Sequence, residues 1–182
     1  MFNIREILNE LKIEIKKQYY EREFHVIYTK DYLILVTGIG SASVEIAANE
    51  LAMIEIEKVF LAGTCGTSKD FKIGEPVFIN EAKFSQGSPL YYTKEKSFKP
   101  KIQSSLQPVT CVSSDSFYKG DTCADVVDMD TAYVYAFQEI FNFKAVSIKG
   151  ISNKIGEHID NDSVYLALKN SIKECLHSLS SD

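Results

Sequence analysis

Twice near its start this chain runs an apolar stretch straight into a glycine-rich segment. Tyr32 to Thr37 is almost uninterruptedly apolar and leads into Gly38-Ile39-Gly40-Ser41, after which Val44, Ala47, Ala48, Leu51 and Ala52 recur at helical spacing. Lys58 to Ala62 is a second short apolar run, and Gly63-Thr64-Cys65-Gly66-Thr67 follows it. A strand that ends in glycines before a helix is the unit of α/β architecture. It predicts strands covered by helices and ligands received at the strands' carboxyl ends.

The remaining pattern extends that unit. Ile4, Ile7, Leu8, Leu11 and Ile15 predict an amphipathic helix from Phe2 to about Lys17, and Glu23 to Thr29 alternates as a strand that turns at Lys30-Asp31 into Tyr32 to Thr37. Strands are expected at Pro76–Asn80, Val109–Ser113 and Lys144–Ile151, and helices at Met129–Phe141 and from Val164 to about Leu179. Phe84 to Gln107 is polar and rich in Lys and Ser, and reads as irregular. With 182 residues, 45% of them hydrophobic, the chain can bury a core as one domain spanning 1–182. The expected class is α/β, with a mixed, mostly parallel sheet and helices on both faces.

Charge narrows the function. A net charge of -5 argues against nucleic acid or a membrane surface as partner, since both reward clustered cations, and points to a small-molecule ligand. Arg5 and Arg22 are the only arginines, so any bidentate grip on phosphate falls to them. Cys65, Cys111, Cys123 and Cys175 lack metal-ligand spacing and read as reduced and mostly buried, and no metal site is expected. No leader or membrane-spanning run is evident, which predicts a cytoplasmic protein.

Four segments follow expected strands and carry small, hydroxyl or amide residues: Gly38–Ser41, Gly63–Thr67, Ser113–Gly120 and Ser152–Gly156. Together they could ring one pocket, where glycine lets backbone amides approach a ligand and Thr64 adds a hydroxyl. Gly38-Ile39-Gly40-Ser41-Ala42-Ser43 lacks the third glycine of a dinucleotide fingerprint, which makes a nicotinamide enzyme the weaker reading. Taken singly the same residues have structural uses: Asp128 and Asp130 could cap a helix, and Phe117 and Tyr118 could be core aromatics.

Their order along the chain is more specific. Arg22-Glu23-Phe24, Thr37-Gly38-Ile39-Gly40, Gly63-Thr64-Cys65-Gly66, Ile73-Gly74, Ser113 to Tyr118, Asp128-Met129-Asp130 and Gly150-Ile151-Ser152-Asn153 together resemble the nucleoside phosphorylase and nucleosidase superfamily. The resemblance is to a compact member that begins after the usual first strand. It implies that Asp128, Met129 and Asp130 hold the ribose, Asp130 chiefly, through carboxylate bonds to its hydroxyls and soft thioether packing. Both aspartates stand where the family usually has glutamates, so the reach is one methylene shorter. Phe117 and Tyr118 would line the base pocket, with Gly63 and Thr64 also against substrate. Asn153 would bond the leaving purine, which an amide can do without serving as a general acid.

For phosphate, the resemblance assigns Arg22, offered by a neighbouring subunit, together with Arg5, the Thr64 hydroxyl and Gly40. A third arginine position reads Leu61. The implied reaction is phosphorolysis of a purine nucleoside in a homo-oligomer, dimer or hexamer, with inorganic phosphate as co-substrate and no cofactor. Two alternatives stay open: hydrolysis of a methylthioadenosine or S-adenosylhomocysteine type of nucleoside, and a catalytically silent paralogue that only binds.

Overall fold

The computed structural model describes residues 4–21, 24–85, 97–116 and 122–179. Helix α1 (Ile4–Glu10) buries Ile7 and Leu8 and stops well short of Lys17. Lys12 takes a left-handed φ of 58° and the Ile13 amide closes back on the Leu8 carbonyl at 2.9 Å, so the apolar period through Ile13 and Ile15 is not used helically. The chain instead enters β1 (Lys17–Glu21), whose Tyr-rich sequence suits a strand. β1, β2 (Phe24–Tyr28) and β3 (Leu33–Val36) form an antiparallel three-stranded sheet with Tyr19 opposite Val26 and Val26 opposite Leu35. The β2–β3 turn is pinned by Thr29, whose hydroxyl donates to the Tyr32 carbonyl and accepts from the Tyr32 amide.

Helix α2 (Ser41–Met53) follows and buries Val44, Ala47 and Ala48. β4 (Lys58–Thr67) then runs straight through the glycines expected to form a loop, since Gly63 to Thr67 pair with β9 along with the rest of the strand. The remaining elements are β5 (Pro76–Phe84), β6 (Ser97–Phe98), β7 (Pro108–Ser113), β8 (Val126–Asp128), α3 (Thr131–Ile140), β9 (Lys144–Lys154) and α4 (Asn161–Leu179). The larger sheet is mixed, in the order β6-β5-β7-β8-β4-β9, and β5 pairs with β9 as well, so five of its strands close on themselves.

Alternation along the strands builds the two layers. Val77, Ile79 and Ala145 face a core with Tyr133, Tyr135 and Phe137 of α3, whereas Phe78, Val146 and Ile148 face Cys175 of α4. The fold is therefore α/β, with a mixed sheet and helices on both faces. From Thr131 to Gln138 every residue of α3 is buried, and Tyr135 bolts two strands together by donating to the Ile79 carbonyl (2.7 Å) and accepting from the Ser147 amide (2.9 Å). At Gly150 a side chain would overlap the Ala167 backbone, so glycine there sets how closely α4 lies on β9. All four cysteines are free; Cys65, Cys111 and Cys175 are buried and Cys123 is exposed.

Candidate functional site

The carboxyl ends of β7 and β8 and the middle of β9 bring a buried ionic cluster to the start of α3. Asp128 closes β8 and accepts from the Ser113 hydroxyl (2.5 Å), from the Thr131 amide (3.1 Å) and, closely, from the Thr131 hydroxyl. It thereby caps α3 from the preceding strand, supplying an acceptor to amides that the helix leaves without partners. Lys149, in the middle of β9, reaches into the same spot, with its Nζ 2.7 Å from Asp130 Oδ1 and 3.2 Å from Asp128 Oδ2. Room for this ammonium depends on Gly63, where an added Cβ would lie 2.7 Å from Nζ.

The three charged groups are not equivalent. The side chains of Asp128 and Lys149 are each 1% exposed, whereas that of Asp130 keeps 22%, so Asp130 is the carboxylate a ligand can meet. Burial would push the Asp128 carboxyl up, but Lys149 and the bonds from Ser113 and Thr131 outweigh it and hold the group down at about 2. Burial pushes Asp130 up to about 6; Lys149 opposes this, and the negative charge of Asp128 adds to it. Burial alone would lower the Lys149 ammonium, yet the two carboxylates raise it. One cation between two acids favours the ionised form of Asp128, and Asp130 is the acid whose carboxyl is held up.

Asp130 opens onto a cavity of about 1240 Å³ whose wall also includes Gly63, Thr64, Asp128, Met129 and Asn153. Most of the residues singled out for ribose and base contact therefore line one space. Asn153, near the end of β9, is oriented by its own strand: Ser152 Oγ donates to its Oδ1 at 2.8 Å and its Nδ2 donates to the Lys154 carbonyl at 2.8 Å. Gly66 leaves it space, since a Cβ there would come within 3.3 Å of Nδ2.

The residues singled out for phosphate are dispersed differently. Arg5 lines the same cavity, and its Nε donates to Gln18 Oε1 at 2.9 Å, an oxygen shared with His25 Nε2 at 3.0 Å. Gly40 is outside the cavity wall; it has φ 88° beside the start of α2, where Asp115 accepts from the Ser41 amide (2.7 Å) and hydroxyl (3.0 Å) and from the Tyr133 hydroxyl (2.9 Å). A carboxylate of the protein itself thus occupies the place at the α2 N-terminus that an anion would take. Leu61 packs against the core. Arg22, Phe117 and Tyr118 lie outside the described residues. Among the described residues no cluster of His, Cys, Asp and Glu could hold a metal, and no helix is long and apolar enough to cross a membrane.

Lys149 escaped the sequence reading, and Ser113 and Asp115 entered it only as members of the Ser113 to Tyr118 motif, with no role of their own. The signal for Lys149 was a lone lysine inside the apolar run Ala145 to Ile151, where a charge needs a buried partner. Nothing comparable marks Asp115, whose partners come from distant segments.

Comparison with solved structures places the fold. The 5'-methylthioadenosine/S-adenosylhomocysteine nucleosidase of Neisseria meningitidis, in complex with methylthio-immucillin-A, superposes with a TM-score of 0.77 at 15% identity, covering 96% of this chain and 95% of that one. The futalosine hydrolase of Helicobacter pylori gives 0.74 at 17% identity over 98% of this chain and 92% of its own. At such identities the likeness concerns the fold. Comparison with curated protein sequences returns no match. A family model described as the phosphorylase superfamily matches residues 3–120. That segment is more than half of the sequence, and the chain belongs to the phosphorylase superfamily.

Proposed function

We propose that this chain binds a purine nucleoside in the cavity beside Asp130 and cleaves its N-glycosidic bond. The observation that carries the reading is the position of Asp130: partly exposed, tethered to Lys149, and sharing a cavity wall with Met129, Thr64 and Asn153. An ionised Asp130 accepts hydrogen bonds from the sugar hydroxyls and offsets positive charge as it develops at the anomeric carbon. Met129 packs on the sugar, and Asn153 donates to the departing purine through Nδ2 once that group leaves the Lys154 carbonyl. Phe117 and Tyr118 complete the base pocket in this reading.

The acceptor is phosphate, held by the Thr64 hydroxyl with Arg5 and Arg22, and attack yields ribose 1-phosphate. A second reading, hydrolysis of a methylthioadenosine-type nucleoside, draws support from charge. Asp115 already accepts from the Ser41 amide next to Gly40, and Lys149 is matched by two carboxylates, so a phosphate dianion meets less cationic surface than phosphorolysis rewards. The deciding experiment incubates the purified chain with inosine, guanosine, adenosine and 5'-methylthioadenosine, with and without phosphate, and follows base and sugar products. Ribose 1-phosphate supports the first reading, and phosphate-independent base release the second. Neither turnover nor a ligand-induced rise in Tm with any of the four would refute nucleoside recognition altogether.

A further inference from the structure

The cavity wall is assembled from separate segments, and two of them are held together by a side chain outside the wall. Thr37, Gly38 and Ile39, just before α2, line the cavity, and so does Ser116, shortly after β7. Asp115 joins them. Its Oδ1 accepts from the Ser41 amide at 2.7 Å, and its Oδ2 accepts from the Ser41 hydroxyl at 3.0 Å and from the Tyr133 hydroxyl at 2.9 Å. The segment that ends in Ser116 is thereby tied to a turn 74 positions earlier and to a helix 18 positions later.

Both ends of this tie are built to receive it. Gly40 precedes α2 with φ 88° and offers the helix no side-chain cap, so the first amide of α2 takes its acceptor from Asp115 instead. A Cβ at Gly40 would come within 3.1 Å of Asp115 Oδ1, so glycine there also leaves the carboxylate its place. Tyr133 is a rigid post, wholly buried in α3 with its ring centroid 4.7 Å from that of Phe84. Ser113 and Ser114 hold the same segment to the Asp128 side of the site. The Ser113 hydroxyl donates to Asp128 and accepts from the Ala132 amide (2.9 Å), and the Ser114 amide donates to the Asp128 carbonyl (3.0 Å). Asp115 is nevertheless exposed to solvent. An exposed carboxylate contributes little to global folding, so its bonds to two separate elements point to a local task.

We propose that Asp115 is a positioning residue for nucleoside binding, which locks the Thr37–Ile39 turn and Ser116 into one preformed wall. This rests on the nucleoside reading of the cavity. Asp115 acts through the residues it holds and does not itself touch the ligand. Without it the two wall segments must be ordered by the ligand as it binds, and that ordering is subtracted from affinity. Asp130 keeps its own anchor on Lys149, so the loss falls on binding rather than on the bond-breaking step.

The test compares Asp115→Ala and Asp115→Asn with the parent chain. Asparagine keeps an acceptor oxygen for the Ser41 amide, and its Nδ2 donates to the hydroxyl oxygens of Ser41 and Tyr133, so it removes the charge and preserves the hold. Calorimetric titration uses inosine, guanosine, adenosine and 5'-methylthioadenosine. For whichever of them the parent binds, Kd is expected to rise at least about tenfold in the Ala variant and less than about threefold in the Asn variant. Any turnover keeps its kcat within about threefold in both variants, and Tm falls by no more than about 4 °C. Hydrogen exchange at residues 38–41 and 114–116 of the ligand-free Ala variant accelerates at least about tenfold. An Ala variant that binds as tightly as the parent, equal losses in both variants, a kcat that falls as far as the affinity, a larger fall in Tm, or unaltered exchange at both segments would each overturn the positioning role. A parent chain that binds none of the four nucleosides refutes the nucleoside reading itself, and this proposal with it.

Discussion

Replacing Lys149 by Met keeps the bulk and hydrocarbon of the side chain and removes only its charge. In the parent, Lys149 Nζ is 3.2 Å from Asp128 and 2.7 Å from Asp130, and both Lys149 and Asp128 are almost wholly buried. Deleting one partner of a buried ionic cluster costs about 3–5 kcal/mol, because the other charge is left without compensation. Asp128 keeps its bonds from Ser113 and Thr131, so the loss belongs at the lower part of that range. For a chain of this size each kcal/mol corresponds to roughly 2–4 °C in Tm, so a fall of about 6–15 °C is expected at pH 7. The pH dependence is the sharper test. In the parent the Asp128 carboxyl is depressed to about 2, so its contribution is complete above its unfolded value and fades as pH falls towards 2. In the variant the same carboxyl is raised, so the folded state binds protons more tightly than the unfolded state, and stability recovers as pH is lowered from 7 towards 4. Urea denaturation of both proteins between pH 4 and pH 8 reads this directly. A loss under about 1 kcal/mol at pH 7, or a difference between the two proteins that does not shrink at pH 5, refutes the argument that Lys149 neutralises a buried carboxylate.

Asp130→Asn removes a charged acceptor from the cavity wall and is expected to weaken nucleoside binding by about 1.5–3 kcal/mol, roughly 10- to 150-fold, in calorimetric titration, with little change in Tm. In the parent, where burial pushes this carboxyl up to about 6, affinity is expected to hold above pH 7 and to fall about tenfold per unit below about pH 6, as the acceptor takes up its proton. Flat affinity from pH 5 to pH 8 would remove Asp130 from the sugar site. Thr64→Val is expected to raise the KM for phosphate with little change in nucleoside affinity, measured by initial rates; an unchanged KM speaks against phosphate at that hydroxyl. Gly150→Ala forces a Cβ onto the Ala167 backbone, and chemical denaturation is expected to show a loss of about 1–3 kcal/mol, towards the upper end because a helix backbone rather than a flexible side chain must move.

Much of the layer structure was legible because period and composition agree. The apolar spacing from Val44 to Ala52 became α2, the run at Tyr32 to Thr37 became β3, and the closing helix ends at Leu179. The misses have distinct physical origins. Ile13 and Ile15 continue a helical period that Lys12 breaks by turning left-handed, and no residue type announced that turn. β8 has only three residues, too few for alternation to register. Glycines at Gly63 and Gly66 read as a loop because local propensity says so, yet each sits in β4 to make room for a side chain of β9, which is tertiary information. At the cavity, Thr64, Met129, Asp130 and Asn153 stood out by motif order, whereas the cation that governs two of the acids sits singly in β9 between Ile148 and Gly150, outside any motif.

The longest ladder of the fold joins β4 to β9, with Lys58 opposite Lys144 and Thr67 opposite Lys154. Its halves are separated by most of the middle of the sequence, so closing it carries a large entropic cost and delays it relative to the local hairpin of β2 and β3. During synthesis β4 is made well before its ladder partner β9 and the helix α4 that covers the sheet. Until β9 has been made, the apolar run Val59 to Ala62 lacks the strand that covers it, so a chain stalled before Lys144 is expected to be prone to aggregation.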